Sequence, residues 1–201
     1  MSVAALLEQP FATVSDLIRA AARQQPQAPA LRLDDRTLSY GELDALMDRV
    51  AAALQRDGVA PRDTIAICAG TSLEYATVFL GSLRAGVTVA PLAPSSTAEA
   101  LATMVADADA VLLFTDATVA SALAPVADRI GAARIALDGS DAGRPFSDWL
   151  APAGAQPEPV AVEPDWPLNI IYSSGTTGTP KGFVQPHGMR WGHMRRGTNQ
   201  E

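Results

Sequence analysis

The feature that most restricts this chain is an alternation. Short apolar runs at 64–68, 87–90, 110–114 and 133–137 are separated by stretches patterned as amphipathic helices. Continuous apolar runs of this length predict strands covered on both faces. Helix starts are legible between them. Ser39 with Glu42, Thr71 with Glu74, and Ser96 with Glu99 each set a hydroxyl three residues before an acid, the pairing that satisfies the open backbone donors of a first helical turn. The first opens a stripe of Leu43, Leu46, Met47, Val50, Ala51 and Leu54, with Gly58 just past its end. The second precedes an apolar stretch over 73–83 with a stop near Gly86, and the third precedes Leu101, Met104 and Val105. One more helix is expected over 118–128. Strand and helix alternating at this spacing predict right-handed parallel crossovers, hence an α/β fold with a mostly parallel sheet layered with helices on both faces.

The flanks read differently. Leu17, Ile18 and Ala21 share one face of a helix over 13–25, with Thr13 as its cap and Pro26 closing it. Residues 30–33 and 37–39 predict a small hairpin turning at Asp34-Asp35-Arg36. Five prolines fall within residues 151–167. Proline removes a backbone donor and fixes φ, so this stretch is expected to be a rigid surface connection rather than helix or sheet. It divides the chain into an α/β subdomain over 1–150 and the start of a second subdomain over 168–201.

Charge narrows the functional classes. The net charge is −7, but residues 1–169 carry 11 Lys/Arg against 21 Asp/Glu, whereas residues 170–201 carry 4 against 1 and hold both His187 and His193. An acidic chain is a poor partner for nucleic acid. A locally basic end suits a small anionic ligand. The lone Cys68 lies inside an apolar run, which reads as a buried strand residue and allows no intrachain disulfide. No apolar run is long enough to span a bilayer, and the first residues lack the pattern of a secretion signal, so a cytoplasmic chain is expected.

The chemistry concentrates after the connection. Leu168-Asn169-Ile170-Ile171-Tyr172 reads as a strand running into Ser173-Ser174-Gly175-Thr176-Thr177-Gly178-Thr179-Pro180-Lys181-Gly182. A polyphosphate needs several short donors converging on its oxygens. Backbone N–H groups supply them where glycine lets the chain curl, hydroxyls add more, and lysine brings a mobile positive charge. The spacing differs from the nucleoside-triphosphatase loop, because Lys181 follows Pro180 and precedes Gly182, and it has no dinucleotide fingerprint. His187 and His193, six apart with no third ligand nearby, do not form a zinc pattern, and no residue is assigned to a metal.

The run from Tyr172 to Gly182 closely resembles the signature of the adenylate-forming acyl-CoA synthetase family, which includes luciferases and the adenylation domains of peptide synthetases. Phe183-Val184-Gln185-Pro186-His187 resembles that family's continuation. Leu38-Ser39-Tyr40-Gly41-Glu42-Leu43, Asp63-Thr64-Ile65-Ala66-Ile67 and the stretch from Gly86 to Pro94 resemble its upstream elements, with Ala93 where a polar or aromatic residue is usual.

The resemblance implies the N-terminal part of the adenylate-forming fold. It also implies an activity: ATP, with Mg2+ held through its phosphates, activates a small carboxylic acid to an acyl-adenylate. Coenzyme A, or alternatively a carrier protein, then receives the acyl group. Carried onto this chain, Thr176, Thr177, Gly178 and Lys181 contact the phosphates, Lys181 and Thr176 being the residues nearest the reaction. Ser173, Ser174, Gly175 and Thr179 complete the cradle. His187 has two readings, a helix-start histidine bonded to backbone and a residue lining the acyl or phosphate cavity. Family members are more than twice as long, with their adenine pocket and a mobile lysine beyond the equivalent of Glu201, so this chain is expected to be a fragment inactive alone. A homo-oligomer is compatible with the sequence. The competing class is a non-catalytic nucleotide-binding or interaction module that keeps the loop.

Overall fold

The computed structural model describes residues 1–173 and 180–197. Two short helices open the chain, α1 (Val3–Leu7) and α2 (Val14–Gln24), followed by the hairpin β1 (Pro29–Leu33) and β2 (Arg36–Ser39). Then come α3 (Tyr40–Arg56), β3 (Thr64–Cys68), α4 (Leu73–Arg84), β4 (Thr88–Pro91), α5 (Ala98–Asp107), β5 (Ala110–Thr115) and α6 (Ala117–Leu123). A 3-10 turn (Ala124–Arg129), β6 (Ala133–Ala136), β7 (Arg144–Pro145) and α7 (Phe146–Trp149) complete the first part, and β8 (Pro167–Ser173), β9 (Lys181–Pro186) and α8 (His187–Gly197) follow the connection. Among the described residues the main sheet has seven strands in the order β7-β6-β5-β3-β4-β8-β9. Every pairing is parallel except β8 with β9. The expected α/β architecture is therefore present, doubly wound about β3.

The two faces of the sheet bury separate cores, as alternation along a strand requires. Ile65, Ile67, Val89 and Phe114 pack against Val50, Leu54 and Val78 of α3 and α4. Ala66, Cys68, Ala90 and Leu113 pack against Leu101, Met104 and Val105 of α5 and against Val119 and Leu123 of α6. Helices α3 and α4 approach closely because position 81 is glycine: a Cβ there would lie 2.5 Å from Val50 Cβ. Beyond them, Arg84 is buried and fully engaged. Its guanidinium donates to Ser15 Oγ (2.8 Å), Asp44 Oδ1 (2.5 Å) and Asp48 Oδ1 (2.8 Å), and Arg19 also pairs with Asp48. Four charges thus fasten α2, α3 and α4 together.

Local signals fared unevenly. Thr13 caps α2 and Ser39 caps α3, each in a reciprocal box, with Asp16 and Glu42. The other two boxes are displaced by one residue. Ser72, not Thr71, caps α4 by accepting from Tyr75 N–H, while Glu74 turns to Arg36 at 2.6 Å. Thr97, not Ser96, caps α5, because Ser96 closes a turn with Ala93. The helix expected over 118–128 stops at Leu123 and continues as a kinked 3-10 turn at Pro125. Arg36 belongs to β2 rather than the turn.

Residues 151–166 contain neither helix nor strand, and the stretch is strapped across α3. Arg49 Nε donates to Ala151 O (2.7 Å), and Gln55 exchanges two hydrogen bonds with the backbone of Glu158 (2.8 and 2.9 Å). Trp149, edge-on to Phe114 at 5.0 Å, donates its indole N–H to Asp57 at the end of α3. A proline-rich segment cannot form its own ladder, so side chains of α3 supply the partners. Pro167 then enters β8 at its first position, where a missing donor does least harm.

Candidate functional site

β8 runs parallel to β4 through the register pair Val89 with Asn169, then returns as β9 in an antiparallel hairpin. The last residue of β8, Ser173, faces the first of β9, Lys181. These two residues are the mouth of the glycine- and hydroxyl-rich loop. Ser174, Gly175, Thr176, Thr177, Gly178 and Thr179, all expected to contact phosphates, lie outside the described residues. What the structure gives is the frame that holds the loop's two legs.

That frame is tight. Tyr172 stands opposite Gly182 in the hairpin. A Cβ on Gly182 would lie 2.9 Å from Ile170 Cγ2 and 3.2 Å from Tyr172 Cε1, so only glycine lets β9 pass this close to the ring. The Tyr172 hydroxyl reaches α5, with its oxygen 2.6 Å from Asp107 Oδ2 and 3.2 Å from Met104 O. Burial, and then the Asp107 carboxylate, push the phenol well above its ordinary range, so it remains a proton donor at neutral pH. Ser173 and Lys181 are both exposed, and among the described residues no carboxylate pairs with Lys181. The ammonium is thus available to an external anion.

His187 is the first residue of α8 and only 2% exposed. Its backbone N–H bonds Trp166 O (3.0 Å), and Gly188 N–H bonds Pro164 O (2.7 Å), so the connection caps the helix through carbonyls. Among the described residues its imidazole Nε2 has no hydrogen-bond partner, nor does buried Asn169 Oδ1. Burial lowers its pKa to about 4, which keeps the ring neutral. The remainder of α8 docks on the N-terminal helices: Trp191 is buried and donates to Gln9 O (3.3 Å), and Met194 lies beside α1 and α2. Arg190 is half-buried and donates to Gln185, whereas His193 and Arg196 are exposed.

Two other places deserve chemical scrutiny. Cys68 is buried, and burial followed by the Asp116 charge pushes its thiol up to about 12, leaving no reactive thiolate. A crevice of about 450 Å³ opens beyond the carboxyl ends of β3, β5 and β6, at the point where the strand order reverses. Ligands of open α/β sheets commonly sit at such a point. Here the anion positions are filled by the chain itself. Asp116 accepts from Gly70 N–H (2.7 Å) and Val119 N–H (2.8 Å), and Asp138 accepts from Ala117 N–H (2.9 Å). A phosphate would meet Asp116, Asp138 and Glu74 there, with Arg36 already paired to Glu74, so electrostatics favour the β8–β9 end. Among the described residues no group of three or more His, Cys, Asp or Glu is placed to hold a metal ion. No helix among them is long and apolar enough to cross a membrane.

Known proteins resemble the chain along most of its length. The chain is 32% identical over 181 residues to a dimodular nonribosomal peptide synthase of Bacillus subtilis, covering 89% of this chain and 7% of that protein. It is 33% identical over 171 residues to the fatty acid–[acyl-carrier-protein] ligase ScoC of Streptomyces coeruleorubidus, covering 83% of this chain and 31% of ScoC. Among solved structures, the inhibitor-bound N-terminal domain of FACL13 from Mycobacterium tuberculosis superposes with a TM-score of 0.76 at 26% identity, covering 88% of this chain and 45% of that one. The chain thus spans less than a third of the first relative and about a third of the second. The sequence matches the AMP-binding enzyme family over residues 18–194, and on that match the chain belongs to this family of adenylate-forming ligases.

Proposed function

We propose that this chain carries the phosphate-binding part of an enzyme that activates a carboxylic acid with ATP and passes the acyl group to a thiol. The observation that supports it most directly is the mouth of the loop: Ser173 opposite an exposed, carboxylate-free Lys181, at the basic end of an otherwise acidic chain. In the first step a carboxylate oxygen bonds to the α-phosphorus, the bond to the β-phosphate oxygen breaks, and pyrophosphate leaves. A thiol then bonds to the acyl carbon and AMP departs. Thr176, Thr177, Gly178 and Lys181 act on the leaving phosphates by preorganised donors and charge, with Ser173, Ser174, Gly175 and Thr179 completing the cradle. Mg2+ is held through the phosphates. His187, buried and neutral at the start of α8, lines the acyl or phosphate cavity, a role its unpartnered Nε2 supports.

Coenzyme A is one acceptor. The name of ScoC, a fatty acid–[acyl-carrier-protein] ligase, favours a second, a carrier protein. Acid-dependent exchange of labelled pyrophosphate into ATP, measured on the longest polypeptide that carries this sequence, tests the first step. No exchange with any of a broad set of amino, aromatic and fatty acids would refute it. Loading of coenzyme A against a carrier protein then separates the acceptors. The 201 residues alone are expected to release no pyrophosphate, since they span only 45% of the FACL13 domain chain.

A further inference from the structure

We propose that Tyr172 and Asp107 form a clamp in which the C-terminus of α5 sets the position of the loop's two legs, the phenol hydroxyl donating to the Asp107 carboxylate while the ring braces Gly182. This rests on the phosphate-binding reading above and adds to it a pair of positioning residues outside the loop itself.

Three observations carry it. First, the parallel ladder holds β8 only near its beginning, through Val89 with Asn169 and a 3.3 Å hydrogen bond from Thr88 Oγ1 to Pro167 O. By Tyr172, the residue before the mouth, no strand among the described residues other than β9 pairs with β8. Second, Asp107 is an acid in the last turn of a helix, where the carbonyl ends repel negative charge. A donor arriving from outside the helix turns that cost into a directed contact, and Tyr172 is that donor. Third, the ring that carries the hydroxyl also sets the height of the returning leg, because Gly182 passes against it without room for a Cβ. One side chain therefore touches the outgoing leg, the incoming leg and α5. An error of an ångström at the mouth shifts the two ends between which the loop is strung.

Titration of the 201-residue chain with magnesium tripolyphosphate tests this, since that probe needs no adenine pocket. Tyr172→Phe keeps the ring and removes the donor, and Asp107→Leu keeps the size and removes the acceptor. Each is expected to weaken tripolyphosphate binding about 3- to 10-fold, and the double variant no more than either single one. Asp107→Leu also removes the misplaced helix-end charge, so its melting temperature is expected to hold or rise while affinity falls. A merely structural contact would lose both together, and that result would overturn the clamp. Unchanged affinity in Tyr172→Phe alongside weakened binding in Lys181→Ala would also overturn it, leaving the phosphate reading intact. No binding by the unaltered chain would remove the phosphate reading, and the clamp with it.

Discussion

The centre of the sheet and its β8–β9 edge are held together in different ways. Around β3 and β4, order comes from dense burial: Val50, Leu54, Ile65, Ile67 and Val89 are wholly inaccessible, and Arg84 joins three helices through paired charges. The edge exposes Phe183 (58%) and Val184 (60%); beyond the β8–β9 ladder it is aimed by the individual contacts of Tyr172, Gly182 and the His187 backbone. Removal of any one residue at the centre should cost stability, whereas removal of one at the edge should cost aim. The proposed chemistry thus sits at the exposed edge of the sheet, with its frame fixed by the β8–β9 ladder and by Tyr172.

The contrast can be broken at several points. Arg84→Met should be the most damaging, since it leaves the carboxylate of Asp48, 7% exposed, short of a partner; a loss of about 3 kcal/mol is expected in urea denaturation. Replacing Asp48 by leucine in the same chain should recover much of it. Gly81→Ala pushes a methyl into Val50 and should cost about 2 kcal/mol, with the same measurement.

At the edge, His187 gives a pH signature. The unfolded imidazole takes its proton near 6.5 and the buried one near about 4, so the unfolded state binds more protons between these values. Its contribution is complete above about pH 6.5 and declines as pH falls toward 4, by on the order of 2 kcal/mol. His187→Gln should flatten that part of the stability–pH curve. Lys181→Ala should be the mildest, changing stability by less than about 0.5 kcal/mol because the side chain is exposed and unpaired among the described residues. A large loss there would mean that the ammonium belongs to the fold rather than to a ligand.

Much of the centre was readable from residue pattern because its determinants are local. The apolar runs gave β3, β5 and β6 nearly to the residue, and the Ser39–Glu42 box gave the start of α3. Where two hydroxyls stand side by side the pattern was ambiguous, and the tie was broken by something distant: Arg36 on the hairpin draws Glu74 away, so Ser72 caps α4 with no reciprocal partner. The edge was less legible. β9 follows Pro180 and ends on Pro186, without alternation, and is a strand because β8 templates it and Gly182 lets it close in. The Tyr172–Asp107 contact joins residues 65 apart and leaves no trace in spacing. The loop signature itself was plain in the sequence, yet its donors from Ser174 to Thr179 lie outside the described residues.

The three tryptophans occupy three separate settings. Trp149 lies deep in the α3 face of the sheet, Trp191 is buried where α8 meets Gln9, and Trp166 lies in the connection with the Arg62 guanidinium 6.0 Å above its ring. Each indole is therefore a natural optical probe of one layer. Chains retaining a single tryptophan would show by fluorescence whether the centre, the strap and α8 come apart in one transition or in succession.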